Sequence, residues 1–294
     1  MQARAARCVV WGEIVWDRFP DEDRLGGAAA NVAYHLSCLG AESVLVSCVG
    51  QDDLGQRALA RLTDAGVDTR FVTRDAVAPT GTVKVTFEAG QPRYELASFA
   101  AYDRIGFDVA LAEQLASARA LVYGTLAQRT ALVQGALVHA LDVDGPTRVL
   151  DVNLRPPHVT RAIVGRCLER AHVVKLNEHE AHVLAELLNT RDLTRYLLDS
   201  GAWLVALTRG ERGARLTTAT ATVEHPGFAA AVGGDAVGAG DAFTALLALE
   251  ATEHGDLERL VRRANRYASW VASHAGAMPQ PPAELAQWLQ GTGD

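Results

Sequence analysis

The stretch Gly233-Gly-Asp-Ala-Val-Gly-Ala-Gly-Asp-Ala-Phe243 holds the residues best suited to chemistry. A glycine-rich turn runs into a helical pattern carrying Phe243, Leu246, Leu247 and Leu249. Small residues at Gly238, Ala239 and Gly240 let backbone N–H groups converge on one concavity. The helix N-terminus adds partial positive charge, and together these make an anion site. Asp241 falls in the first helical turn, beside that site. Like charges repel, so a carboxylate there is a poor phosphate ligand. It is well placed to take a proton from an attacking hydroxyl. The plainer alternative is that Asp241 only caps the helix.

Leu25-Gly-Gly-Ala-Ala-Ala-Asn31 is a second candidate. Gly26 and Gly27 before a helix allow close backbone approach to a ligand. Asn31 offers both a donor and an acceptor, which suits a polyol; a turn with a helix cap accounts for the same residues. The third is Lys175-Leu-Asn177-Glu-His-Glu180, just after a strand-like run. Asn177 and Glu180 share one face at the start of a helix. Glu180 could hold a hydrated magnesium ion and Asn177 could touch a phosphate. A helix cap with a solvated acid is the alternative. His179 and His182 do not have the H-E-x-x-H spacing, so no transition-metal site is predicted.

Two familiar nucleotide motifs are missing. Gly50-Gln-Asp-Asp-Leu-Gly55 has P-loop glycine spacing, but Gln56-Arg57 follows where Lys and Ser/Thr are needed. No G-x-G-x-x-G follows a strand, since position 243 is Phe.

The elements that must position these residues alternate. Cys8–Trp11, Ser43–Val49, Ala120–Tyr123, Arg148–Val152, His172–Leu176 and Leu204–Thr208 read as buried strands. Ala28–Leu39 and Leu54–Ala65 read as helices closed by Gly40 and Gly66. This alternation predicts a mostly parallel sheet covered on both faces. One region breaks the pattern. In Thr82–Glu88, Val83, Val85 and Phe87 alternate with polar residues; Ala89–Pro92 reads as a turn, and Tyr94 and Leu96 resume the strand. This predicts a hairpin whose apolar face covers either a cleft in the same chain or a second subunit. The end of the chain, Gly291–Asp294, is expected to fray.

Composition narrows the function classes. The 294 residues are 49% hydrophobic, enough to bury a sizeable core, with a formal net charge of -7. That balance argues against a chain built mainly to hold nucleic acid. Cys8, Cys38, Cys48 and Cys167 form no C-x-x-C pair or zinc spacing and read as reduced thiols. The apolar run after Arg4 and Arg7 is cut short by Gly12 and Glu13, and no run approaches a membrane span. A soluble, cytoplasmic protein is expected, with no nucleic-acid or membrane partner.

The residues resemble a known family. Gly26-Gly27, Asn31, Ala33, Gly40 and Gly50 fall at the spacing of the N-terminal signature of the ribokinase-like sugar kinases, the PfkB-type family. Asp235 to Phe243 resembles its C-terminal signature, and the resemblance covers nearly the whole chain in order. Gly12-Glu-Ile-Val-Trp-Asp17, Asp151-Val-Asn-Leu-Arg155 and Gly90-Gln-Pro-Arg-Tyr94 look most like the fructokinase branch. The resemblance implies one three-layer α/β/α domain over residues 1–294, with a small β-sheet lid from about 12–25 and 80–105. It implies that Asp241 is the catalytic base and that the backbone of Gly238, Ala239, Gly240 and Asp241 is the anion hole. Asp17, Gly27 and Asn31 would meet the sugar, and Arg155 the sugar or a phosphate. Lys175, Asn177 and Glu180 would serve phosphate and Mg2+, with Glu180 at the metal. Thr208, Arg209, Gly210 and Gly213 match a nucleotide-side T-x-G-x-x-G segment, and Ala275-Gly276-Ala277 would close the adenine side. ATP and Mg2+ are the implied cofactors, with a monovalent cation such as K+ near Asp235. Ala236 stands where a threonine is usual, and Leu246 where a small residue is common.

The function implied is ATP-dependent phosphorylation of a small sugar, a ketohexose such as fructose, with a homodimer through the lid. Three rivals stay open, one of them a specialised kinase acting on an unusual metabolite. A nucleoside kinase of the same fold would need an aromatic-lined pocket. A non-catalytic sugar- or nucleotide-binding regulator would not need Asp241, Asn177 and Glu180 together.

Overall fold

The computed structural model describes residues 5–88, 91–231 and 233–290. Two sheets organise the chain. The large one has strand order β13-β12-β11-β10-β9-β8-β1-β4-β5. Its parallel strands are β1 (Arg7–Trp11), β4 (Glu42–Gly50), β5 (Asp68–Asp75), β8 (Ala120–Gly124), β9 (Thr147–Asp151), β10 (Val173–Asn177) and β11 (Leu204–Thr208). Antiparallel β12 (Ala214–Thr217) and β13 (Thr222–His225) extend one edge. Cys8, Val9, Val10 and Trp11 are all buried, as a strand covered on both faces requires.

Helices cover both faces. Helices α1 (Ala28–Cys38), α2 (Asp53–Asp64), α8 (Ala239–Glu250) and α9 (Leu257–Ala272) pack on one core, with Val10, Leu36, Leu62, Phe243 and Tyr267. Helices α3 (Val109–Ala116), α4 (Ala131–Leu141), α5 (Arg161–Leu168), α6 (Glu178–Leu188) and α7 (Leu193–Asp199) pack on the other, with Trp11, Tyr123 and Leu184. The result is the expected three-layer arrangement. Helix α10 (Ala283–Gln290) closes the described chain. Among the described residues no helix is long and apolar enough to cross a membrane, and all the cysteines are unpaired.

The small sheet has order β3-β2-β6-β7, with β2 (Val15–Arg18), β3 (Asp23–Gly26), β6 (Gly81–Glu88) and β7 (Gln91–Leu96). It corrects the expected hairpin in detail. Gln91 and Pro92 already pair with Glu88 and Phe87, so they are strand rather than turn. Ala89 and Gly90 lie outside the described residues, as do the Phe87 side chain and the tail Gly291–Asp294. Val83 and Val85 are buried within this one chain, whereas Tyr94, which pairs with Val85, is 57% exposed.

The small sheet is also shorter than the expected lid. It ends at Leu96, and Ala101–Arg104 form a 3-10 turn. Ala100, Ala101, Tyr102 and Ile105 are buried in the core of the main domain. Arg129 pins this turn: its Nε donates to Asp103 Oδ1 (2.9 Å), its Nη1 to the Ala97 carbonyl (2.8 Å), and it lies over the Tyr102 ring. The other flank is tied to α2. Trp16 Nε1 donates to Leu54 O (3.0 Å), and Asp52 accepts from both the N–H and the hydroxyl of Thr80.

Strand register sets the site. Gly124 pairs with Asp151, Asp151 with Lys175, and Asn177 with Thr208. All lie at the carboxyl ends of parallel strands, the edge where open α/β sheets take ligands.

Candidate active site

A cleft of about 660 Å³ opens between that sheet edge and the small sheet. Asp17, Gly27, Asn31, Arg155, Lys175, Asn177, Glu180, Gly238, Gly240 and Asp241 all line it. Three separate sequence motifs therefore meet at one place.

The start of α8 builds its floor. Gly238 is the N-cap, in the left-handed conformation at φ 79°. A Cβ there would stand 2.6 Å from the Cα and carbonyl oxygen of Ala277, so no other residue fits. The first N–H groups of a helix have no intrahelical partner, so those of Gly240 and Asp241 head the concavity, while Ala239 N donates to Ala236 O (3.3 Å). Asp241 does not cap the helix; its Oδ2 accepts from Asn31 Nδ2 at 2.7 Å. Burial and then the nearby Asp151 push the Asp241 pKa up to about 7, against Lys175, Asn31 and Arg155. A carboxyl poised there is suited to accept a proton near neutral pH.

Asn31 is 5% exposed, and its Oδ1 has no hydrogen-bond partner. An unpaired buried acceptor is costly, and the residue that carries it lines the cleft. The chain approaches it through Gly27, at φ 101°, where a Cβ would lie 2.5 Å from the Glu13 carbonyl. Asp17 hangs from β2, between Arg24 and Val83 in register. Burial raises its pKa, and Arg155 and Arg24 pull it back. Arg155 is exposed at the cleft mouth, its Nη1 donating to Leu154 O (3.0 Å).

Beneath the helix start lies an ionic floor. Lys175 Nζ donates to both Asp151 oxygens, at 3.0 and 3.1 Å. The Thr244 hydroxyl lies 2.7 Å from Asp151 Oδ2 and 3.0 Å from the Gly240 carbonyl. Burial opposes charge on Lys175, but Asp151, Glu180 and Asp241 outweigh it and its pKa is raised. A Cβ at Gly240 would sit 3.0 Å from Lys175 Nζ, so the ammonium lies directly under the concavity.

Asn177 and Glu180 form a capping box at the start of α6. Glu180 Oε2 accepts from Asn177 N (2.9 Å), Asn177 Oδ1 accepts from Glu180 N (2.9 Å), and Glu180 Oε1 accepts from Leu154 N (3.1 Å). Both oxygens of Glu180 are thus fixed in direction, each keeping a lone pair. Among the described residues no cluster of His, Cys, Asp and Glu could enclose a metal ion. One oriented carboxylate in an open cleft fits Mg2+, which keeps its waters and arrives with phosphates.

The remaining predicted residues sit apart from the cleft. Thr208 adjoins Asn177 at the sheet edge, its hydroxyl donating to Leu176 O (3.4 Å). Arg209 is drawn to Glu224 (3.2 Å) on β13. Gly210 opens a 3-10 turn, and Gly213 packs on the backbone of 225–227. Gly276 N donates to Asp235 Oδ2 (3.1 Å) and Val237 N to Asp235 Oδ1 (3.1 Å). Arg24 also approaches Asp235, at 4.0 Å. Each Asp235 oxygen thus accepts one backbone N–H and keeps a lone pair, at the place where a monovalent cation is expected.

Sequence reasoning passed over Glu13. It is 5% exposed, lines the cleft, and its Oε1 accepts from Ala28 N (3.1 Å); burial raises its pKa. The available signal was an acid just past a buried strand, beside Gly12. Asp151 and Thr244 were likewise missed as partners of Lys175.

Comparison with known proteins gives the family. The model of the pfkB family of carbohydrate kinases matches residues 9–284. Fructokinase-1 of Oryza sativa is 27% identical, covering 88% of this chain and 86% of its own. The D-beta-D-heptose 7-phosphate kinase of Bordetella bronchiseptica is 30% identical, covering 96% and 95%. The crystal structure of an uncharacterized sugar kinase from Pyrococcus horikoshii in complex with ATP superposes with TM-score 0.78 at 26% identity, over 94% of this chain and 96% of that one. With a helix-borne carboxylate, a backbone anion site and a lid-covered cleft in one place, the chain belongs to the pfkB family of carbohydrate kinases.

Proposed function

We propose that this ATP-dependent sugar kinase acts on a neutral ketohexose such as fructose. The observation that carries the reading is the Asn31–Asp241 pair in the wall of a cleft that also holds Asp17 and Glu13. Carboxylates and amides so disposed accept from the hydroxyls of a polyol. A sugar that already carries a phosphate would meet Glu13, Asp17 and Asp241 as like charges. Lys175 is engaged by Asp151, which leaves Arg155 as the one lining cation not already paired, among the described residues. That balance favours fructose over the phosphosugars named for some relatives. A nucleoside is disfavoured because Tyr94 is the one aromatic lining the cleft among the described residues.

Asp241 accepts the proton of the attacking hydroxyl while that oxygen bonds to the γ-phosphorus. The phosphorus–oxygen bond to ADP breaks, and ADP leaves. Backbone N–H groups of Gly238–Asp241 and the Lys175 ammonium stabilise charge on the transferring group. Glu180 would hold Mg2+, which supplies further charge neutralisation when bound with the nucleotide. Covering by the small sheet excludes water and limits ATP hydrolysis.

An ADP-release screen against ketoses, aldoses, phosphosugars and adenosine tests the substrate. Fructose should be preferred; preference for adenosine or a phosphosugar overturns the assignment. Asp17→Ala tests the site. Hydrogen bonds to a charged group contribute about 1.5–3 kcal/mol each, so kcat/KM for the sugar should fall by roughly 10- to 150-fold. The KM for ATP should hardly change. Equal efficiency of variant and wild type removes Asp17 from the site.

A further inference from the structure

Two side chains on α1, one helical turn apart, reach the start of α8 by different routes. Asn31 holds Asp241 directly at 2.7 Å. His35 holds Ala277: its Nε2 lies 3.0 Å from the Ala277 carbonyl oxygen, and its Nδ1 lies 2.9 Å from the Tyr267 hydroxyl. A carbonyl can only accept, so Nε2 carries the hydrogen. Nδ1 then accepts from Tyr267, and the ring is neutral and fully satisfied. His35 and Tyr267 are both 0% exposed and meet edge-on. His35 is therefore too deep to touch a substrate.

The carbonyl it holds is the one against which Gly238 is seated. A Cβ on Gly238 would lie 2.6 Å from Ala277 O and 2.6 Å from its Cα. Gly276 N and His274 O also hold Asp235, through bonds of 3.1 Å each. Residues 274–277 are thus the mould for the turn that heads the anion site. A closed ring results: Asn31, Asp241, Gly238, Ala277, His35, and back along one turn of α1.

We propose that His35 is a positioning residue that fixes the anion site relative to the base, through Ala277 and Gly238. This rests on the reading of Asp241 as base and Gly238–Asp241 as anion site. Asn31 alone would locate the carboxylate. The His35–Ala277 bond locates the concavity against the same helix, so both move together. Misplacing one reacting group by about 1 Å can cost on the order of 100-fold in rate without weakening binding.

Steady-state kinetics of His35→Asn, His35→Gln and Tyr267→Phe, with Asp241→Asn alongside, tests this. The glutamine amide reaches the place of Nε2 and can donate to Ala277 O. Asparagine stops at the place of Nδ1 and serves only Tyr267. His35→Asn should lower kcat by roughly 10- to 100-fold with the KM for sugar and ATP unchanged. His35→Gln should restore most of that loss, and Tyr267→Phe should keep kcat even where its melting temperature falls. Should His35→Asn not fold, Ala277→Gly replaces it, since it loosens the same seat and keeps the imidazole; it must lower kcat at unchanged KM. A kcat that follows melting temperature across the variants, instead of the bond to Ala277, overturns the proposal. So does full turnover of His35→Asn beside an inactive Asp241→Asn, which leaves the base assignment standing. Full turnover of Asp241→Asn removes both.

Discussion

Asp241→Asn should lower kcat by at least ~100-fold while ATP affinity stays near that of wild type. Asparagine keeps the size of the side chain and can still accept from Asn31 Nδ2 through its own Oδ1. What it loses is the ability to take a proton. The pH profile gives a second readout. The base works when ionised, and its pKa is raised to about 7 by burial and by Asp151. In wild type, kcat/KM should therefore climb about tenfold per pH unit below that value and level off above it. The variant should show no such limb.

Stability should move the opposite way. The folded-state pKa of Asp241 lies above that of the unfolded chain, so the folded state binds this proton more tightly. The resulting contribution is full below the unfolded pKa and is lost as pH rises through about 7. Above that pH, wild type carries a buried charge that Asp241→Asn removes. The variant should then melt higher than wild type while being far less active. A variant that melts lower and keeps its turnover would mark Asp241 as structural.

Much of this site was legible because its parts lie in stretches with few structural solutions. Cys8–Trp11 and the run Leu204 to Leu207 are apolar throughout, and a strand buried on both faces reads that way. Gly238-Ala239-Gly240 before an apolar helix has little use other than close backbone approach. The small sheet was harder. β2 and β3 are four residues each and include Asp17, Arg18, Asp23 and Arg24, so no apolar period emerges. β5 is an edge strand with mostly half-exposed or exposed residues, which blurs its alternation. Tyr102 and Ile105 follow the hairpin closely in sequence, but burial of their side chains pulls that stretch into the main core.

Glu13 was invisible for a different reason. An acid after a strand looks like a solvated loop residue until α1 folds over it and Ala28 N–H meets its carboxylate. Asn177 and Glu180 show the reverse case. Cap and ligand are alternative readings of the sequence there, yet the capping box fixes both side chains while leaving them on the cleft wall. A cap can therefore be the device that aims a ligand.

Lys175→Met should be the most destabilising single change at the site. The Lys175 and Asp151 side chains are 7% and 4% exposed, and both carboxylate oxygens accept from the ammonium. Methionine fills similar space but leaves Asp151 charged and buried, with only Thr244 still donating to it. Removing one partner of a buried pair typically costs about 3–5 kcal/mol. Adding Asp151→Asn to Lys175→Met should recover a large part of that loss, because the stranded charge disappears and Thr244 keeps an acceptor. Kinetics should change as well. Lys175 holds the Asp241 pKa down, so without it the rising limb of kcat/KM should shift to higher pH. Restoring Asp151 to neutrality should bring the limb back, since Asp151 itself raises that pKa. Chemical denaturation and a pH–rate profile on the two single variants and the double variant decide the matter. A loss below about 1 kcal/mol for Lys175→Met, with no recovery in the double variant, would mean that solvent reaches the pair. The floor would then be no fixed electrostatic support for the anion site.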